Sequence, residues 1–150
     1  MIIRTAEEKD LEYLIQILSD DQLGAQRESY ILPLPDSYRS AFKNISEDKN
    51  QELKVLVNDK DEVMGMFQLS FIQYLTYQGG IRAQIEGVRV SSGHRGKGLG
   101  KLMFEWAIDR AKQKGAHLIQ LTSDKQRPEA IHFYEQLGFV ASHEGFKLKL

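Results

Sequence analysis

Residues 85–101 read I-E-G-V-R-V-S-S-G-H-R-G-K-G-L-G-K, an apolar strand that runs into a glycine-rich basic turn and then an amphipathic helix. The first turn of a helix has no intrahelical partner for its N–H groups, so such a junction points several of them at one place. The positive end of the helix dipole adds to the field there, which makes the junction a site for phosphate. The glycines remove the Cβ atoms that would block close approach. The chain is therefore expected to bind a phosphate-bearing ligand, and the rest of the sequence has to say which.

Composition narrows the choice. The 150 residues are enough for one domain with a real core, expected to span 1–150. The formal net charge of -1 argues against a general nucleic-acid binder, which would be clearly basic. The absence of cysteine excludes disulfides, cysteine metal sites and thiol catalysis. The first ten residues lack the apolar region of a signal peptide, and no apolar run is long enough to span a bilayer. No membrane partner is expected, and a cytoplasmic location is the default expectation.

Local patterns give an order of elements. Ile2 and Ile3 suggest a short strand, and Thr5 with Glu8 reads as a capping box. Leu11, Leu14, Ile15 and Leu18 have helical spacing, as do Tyr38, Ala41, Phe42 and Ile45 beyond a loop over 20–35. The polar segment from Ser46, S-E-D-K-N-Q-E, is expected to be exposed. Strands are expected at 54–57, 63–72 and 81–90, with turns at 58–61 and at Gln78-Gly79-Gly80. A helix should follow the glycine turn and end near Gly115, its apolar face made of Leu99, Leu102, Met103, Trp106, Ala107 and Ala111. A strand over 118–122 comes next. A helix then opens at Pro128, buries Ala130, Phe133, Tyr134 and Leu137, and stops at Gly138. Alternating Phe146, Leu148 and Leu150 suggest a last strand. This order is that of a mixed α/β domain with antiparallel hairpins in the middle. The helix after the glycine turn serves as the crossover between neighbouring parallel strands.

Two familiar phosphate loops fail on residues and on context. A P-loop requires Lys directly after its last glycine, where Leu99 stands after Gly98. A dinucleotide loop requires a third glycine where Lys101 stands, and should follow the first strand of a parallel fold. A third pattern fits. Arg95-Gly96-Lys97-Gly98-Leu99-Gly100 resembles Arg/Gln-x-x-Gly-x-Gly/Ala, the acetyl-CoA loop of the GNAT superfamily of N-acetyltransferases. Downstream, A-I-H-F-Y-E-Q-L-G-F over 130–139 resembles the family's Ala-x-x-Phe-Tyr-x-x-x-Gly-Phe segment. The two blocks stand in the expected order, one helix and one strand apart.

The resemblance implies a GNAT-like, largely antiparallel sheet flanked by helices, with two strands splayed around acetyl-CoA as co-substrate and no metal. It implies that the strand Val88-Arg89-Val90 receives the pantetheine arm through the backbone of Val88 and Val90. Splayed strands leave backbone groups that need partners, and an amide-rich arm supplies them much as an added strand would. The loop residues Arg95, Gly96, Lys97, Gly98, Leu99, Gly100 and Lys101 would hold the pyrophosphate. Arg95 and Lys97 can add charge attraction there, or remain solvated surface charges. The family's Asn three residues before the Ala of the last motif is replaced by Arg127. That side chain could reach a CoA phosphate, reach an acidic group of the substrate, or lie on the surface.

Acetyl transfer to an amine needs a base for the attacking nitrogen and an acid for the departing thiolate. Tyr134 occupies the family's Phe-Tyr position and is the candidate acid. Glu86, on the strand leading to the loop, is the candidate base, with burial expected to tune it. Its other reading is a cross-strand partner or an exposed strand charge. Strand alternation would put Gln84, Glu86 and Val88 on one face. His94, His117, His132 and His143 lack metal-ligand spacing, and Ser91 and Ser92 have no evident base partner.

The resemblance implies an acceptor site built by the first two helices, their loop, here 20–28, and the hairpin around the central strands, here the segment 73–82. Asp20, Asp21 and Glu28 would favour a cationic amine, and Arg27 an acceptor that also carries a carboxylate; the mixture leaves both open. The expected acceptor is a small-molecule or amino-acid-like primary amine, with a protein amine as an alternative. A non-catalytic acyl-CoA sensor on the same fold is the reading in another class. Family members often pair as homodimers, and Tyr74 and Tyr77 would then line either the site or the dimer surface.

Overall fold

The apolar alternation of the central segments builds a sheet, and the helical stripes cover both of its faces. The computed structural model describes all 150 residues. Its elements are β1 Ile2–Thr5, α1 Leu11–Ser19, α2 Asp36–Glu47, β2 Gln51–Val57, β3 Val63–Gln73, β4 Ile81–Val90, α3 Leu99–Gln113, β5 Ala116–Gln120 and α4 Pro128–Gln136. The strands lie in the order β1-β2-β3-β4-β5. All neighbours are antiparallel except β4 and β5, which are parallel and joined by the crossover helix α3. No helix is long and apolar enough to cross a membrane.

Two apolar layers hold the sheet. On one face Phe67, Leu69, Phe71, Ala83 and Ile85 pack against Leu99, Met103, Phe104, Ala107 and Ala111 of α3. Phe133, Tyr134, Leu137 and Phe139 close the edge of that layer. On the other face Leu14 and Ile17 of α1 meet Val55, Val57 and Met66. Each fully buried side chain of this size contributes about 1.5–3 kcal/mol, so these layers dominate the stability.

The glycine bulge in β4 positions the site. Gly87 has φ of 60°, and the pairing with β3 slips between Met66 and Gln68. One extra residue reverses the alternation. Ala83 and Ile85 face α3 before the bulge, and Val88 and Val90 pack against the same layer after it. Arg89 instead stands opposite Met66, which belongs to the α1 layer. The expected common face of Gln84, Glu86 and Val88 is thus broken at Gly87.

Other expectations shift. The capping box lies two residues later than Thr5 and Glu8: the Glu7 N–H donates to Asp10 Oδ2 at 2.8 Å, while Thr5 ends β1. The polar segment from Ser46 is not wholly exposed. Glu52 sits in β2 with its side chain 10% exposed, 2.7 Å from Arg110 and 3.5 Å from Lys54 and Lys114. On α3, Phe104 is buried and Leu102 exposed, because the helix presents the 99, 103, 107, 111 row with 104 beside it. The strand expected at 118–122 runs instead over Ala116–Gln120. The expected last strand does not form. Phe146 and Leu148 are 94% and 87% exposed, and β5 is the sheet edge.

Candidate active site

β4 parts from β5 at the point the glycine loop requires. Their pairing runs from Ile81 with Ala116 to Gln84 with Gln120, and there it stops. From Ile85 to Val90, β4 is paired with β3 alone. Within this open half the Val88 carbonyl accepts from Arg89 at 2.9 Å and the Val90 carbonyl from Arg95 at 3.2 Å.

The loop that follows is shaped by glycine. Gly96 and Gly98 have φ of 75° and 76°, the left-handed region that other residues enter at a cost. A Cβ built on Gly93, Gly96 or Gly98 would meet no atom within 4 Å, so the loop faces open space. Gly98 is the N-cap of α3 and offers no capping side chain, which leaves the N–H groups of Leu99, Gly100 and Lys101 without a side-chain partner. Gly100 lies against Phe133, its absent Cβ position 3.5 Å from the ring, so α3 and α4 meet beside the loop. These features suit a diphosphate: N–H donors at a helix start, a positive dipole end and no obstructing side chains.

The charged loop residues have partners within the chain. Arg95 reaches both the carbonyl and a carboxylate oxygen of Asp20 at 3.1 Å, tying the segment after α1 to the loop. Lys97 donates to the Gly93 carbonyl at 3.0 Å, and Lys101 lies 3.8 Å from Glu105 on the exposed side of α3. Ser91 is buried and bonds His94 at 2.8 Å, which shapes the turn. Beside these residues lies a groove of about 300 Å³ lined by Tyr13, Gln16, Ile17, Asp20, Tyr30 and Ser91. A larger concavity of about 420 Å³, between α1 and α2, shares none of these residues and has a charged lining of Glu8, Arg39, Lys43 and Glu47.

Tyr134 projects from α4 into a cluster of rings, with Phe104 at 5.5 Å, Phe133 at 5.6 Å and Phe139 at 6.3 Å. Its hydroxyl is held above its ordinary pKa, chiefly by burial; Arg89 and Arg127 pull it down and Glu86 pushes it up. Arg89, Arg127 and Glu86 thus lie close enough to act on the Tyr134 hydroxyl. Glu86 is exposed rather than buried. Its carboxylate accepts from Gln84 at 2.8 Å, and Gln84 in turn accepts from Gln120 at 2.8 Å. This pair of amides across the last paired rung of β4 and β5 orients Glu86, and nothing in the sequence marked it.

Asp21 was also unmarked beyond its place in a mixed-charge loop. Arg127 donates to its carboxylate at 2.8 Å, and Arg89 Nε lies 3.4 Å away. Burial works against the Asp21 charge, but the Gly24 N–H, Arg89 and Arg127 outweigh it and hold its pKa below the ordinary value. Arg127 thus faces the segment after α1 rather than the surface. In the segment 73–82, Arg82 lies over the rings of Tyr74 and Tyr77, 4.6 Å and 5.1 Å from their centres, and Tyr77 stacks on His117. No group of three or more His, Asp or Glu is placed to hold a metal ion.

Known proteins resemble this arrangement. The sequence model of the Acetyltransferase (GNAT) family matches residues 11–139. Streptothricin acetyltransferase of Streptomyces lavendulae is 31% identical over 94 residues, 63% of this chain and 47% of that protein. Aminoalkylphosphonate N-acetyltransferase of Salmonella typhimurium is 29% identical over 110 residues, 73% of this chain and 70% of that protein. The match thus spans about half the length of the first of these relatives. A crystal structure from Bacillus halodurans C-125, titled a transcriptional regulator, is 58% identical with a TM-score of 0.96 and 99% of both chains covered.

Proposed function

The chain belongs to the GNAT acetyltransferase family, and from that premise we propose that it transfers the acetyl group of acetyl-CoA to the primary amine of a small molecule. The observation that carries this reading is the parting of β4 from β5 after Gln84, directly upstream of a glycine loop open at a helix start. The open edge accommodates the amide-rich arm, and the backbone of Leu99, Gly100 and Lys101 receives the diphosphate.

The thioester supplies an activated acyl carbon. The acceptor nitrogen bonds to that carbon, the carbon–sulfur bond breaks, and the nitrogen loses a proton. Glu86 takes that proton, directly or through water, and Tyr134 gives one to the leaving thiolate. A tyrosine hydroxyl is protonated through the neutral range, and burial, which holds the Tyr134 pKa above its ordinary value, keeps it so. Glu86→Gln is expected to lower kcat/KM at neutral pH and move the profile to higher pH, where the amine arrives neutral. An unchanged profile would remove Glu86 from the role and favour an enzyme that binds its amine already neutral.

A second reading draws on the Bacillus halodurans relative, described as a transcriptional regulator: a sensor that binds acyl-CoA without turnover. The two part in one assay. Free thiol released from acetyl-CoA with a panel of small amines, together with an acetylated product by mass spectrometry, supports the transferase. Tight acetyl-CoA binding with no thiol release from any amine supports the sensor.

A further inference from the structure

We infer that Arg89 and Arg127 form an anion-binding subsite for the acceptor, so that the amine acetylated here carries a carboxylate or phosphonate at its other end. This rests on the transferase reading above and narrows its substrate. The bulge at Gly87 turns Arg89 to the α1 side of the sheet, where its side chain is only 18% exposed. Arg127 stands at the start of α4, two helical turns before Tyr134 and on the same side of the helix. Both arginines converge on the single carboxylate of Asp21.

That carboxylate hydrogen-bonds Arg127 but does not satisfy Arg89. Arg89 Nε is buried without a hydrogen bond, although it lies within ion-pair range of Asp21. Arg27 adds a third positive charge to the field at Arg89. The other acidic groups of the segment are committed elsewhere: Asp20 to Arg95, and Glu28 to the Tyr38 hydroxyl at 2.9 Å. The cluster thus holds Arg27, Arg89 and Arg127 against Asp21. An unbalanced, partly desolvated cluster is costly, and a second anion relieves it. The guanidinium fork matches the planar oxygens of a carboxylate and the oxygens of a phosphonate.

Position links this subsite to the reaction. Arg89, Arg127 and Glu86 all lie near enough to act on the Tyr134 hydroxyl, the arginines lowering its pKa and Glu86 raising it. An acceptor with its anion on the arginines places its ammonium end toward Glu86, across the mouth of the open edge. The charge pattern thus favours a molecule with opposite charges at its two ends. The phosphates of CoA are the competing source of anion, but neither arginine side chain bonds the glycine loop, and both are held by the segment after α1.

The test compares a matched pair, 2-aminoethylphosphonate and ethanolamine, by thiol release at saturating acetyl-CoA. The phosphonate is expected to be the better substrate. Arg127→Gln should lower the phosphonate-to-ethanolamine ratio of kcat/KM by about 30-fold, the loss of one desolvated charge pair, with the melting temperature as a check on folding. Equal use of both amines overturns the inference and leaves the transferase reading intact. A loss of acetyl-CoA affinity in Arg127→Gln with the ratio unchanged also overturns it, and assigns the arginine to CoA. Should no amine turn over, the transferase reading fails, but the subsite is still decided on the unmodified protein. Titration of aminomethylphosphonate into protein with nitrogen-15 arginine should shift the Arg89 Nε–H signal at millimolar ligand; no shift overturns the subsite.

Discussion

The two halves of β4 share one strand and do different work. From Ile81 to Gln84 the strand is paired on both sides, and Ala83 within it is fully buried. From Ile85 onward it keeps only β3, and past the Gly87 bulge its carbonyls take donors from Arg89 and Arg95. The paired half satisfies its backbone within the sheet and contributes stability. The open half leaves backbone to be satisfied by side chains or by a ligand. Ile85 stands at the boundary, with its side chain 2% exposed in the α3 layer. The difference teaches that one bulge and one early end of pairing are enough to turn a structural strand into one with an unpaired edge.

This division predicts that substitutions of side chains at the site alter catalysis or ligand binding more than stability, and substitutions of side chains in the core layers the reverse. Tyr134→Phe should show the largest effect, a fall in kcat of about 10²–10⁴-fold, the range for a general acid. Its acetyl-CoA affinity should persist, as checked by calorimetry. Next, Ile85→Ala removes core volume between the sheet and α3 and should cost about 2–5 kcal/mol, read from urea denaturation. A loss of catalysis from Ile85→Ala with full stability would break the division. Third, Gly98→Val forces a β-branched residue to a left-handed φ at about 1–2 kcal/mol and puts a side chain where the loop faces open space. Its acetyl-CoA affinity should fall further than its stability.

The smallest effects should come in acid stability, to which Asp21 contributes beside the open half. Asp10 and Glu52 lie outside it, and burial disfavours both of their charges. Arg4 and the Glu7 N–H outweigh that at Asp10, and Arg110, Lys54 and Lys114 outweigh it at Glu52, so both pKa values lie below the ordinary 3.8 and 4.5. A lowered carboxylate stabilises the fold fully above its unfolded value, and the contribution fades as pH falls through the folded value. Thermal melts of wild type should therefore lose stability below about pH 4.5. Glu52→Gln should flatten that loss, and a steeper loss would contradict the assignment.

Local features of the site were legible in the sequence, and long-range ones were not. The glycine loop, the helix after it and the Phe-Tyr segment announce themselves because each is set by neighbours a few residues apart. The Gly87 bulge is not legible: a single glycine in a strand does not say that the alternation reverses, so plain alternation puts Val88 on the face of Gln84, whereas it packs in the α3 layer. The Asp21–Arg127 contact joins residues 106 positions apart and leaves no local trace. Gln84 and Gln120 meet only because α3 carries the chain back beside β4. The alternation at Phe146, Leu148 and Leu150 suggests a strand, but alternation supplies only a face; the segment stays exposed and pairs with neither open edge of the sheet.

The central claim is that the open half of β4 and the glycine loop together receive acetyl-CoA. Calorimetric titration of acetyl-CoA into the wild-type protein, with ATP and NADH as controls, tests it most directly. The account predicts micromolar binding, about -8 kcal/mol, for acetyl-CoA and none for the controls. A folded protein that gives no heat with acetyl-CoA, or binds ATP equally well, would contradict it.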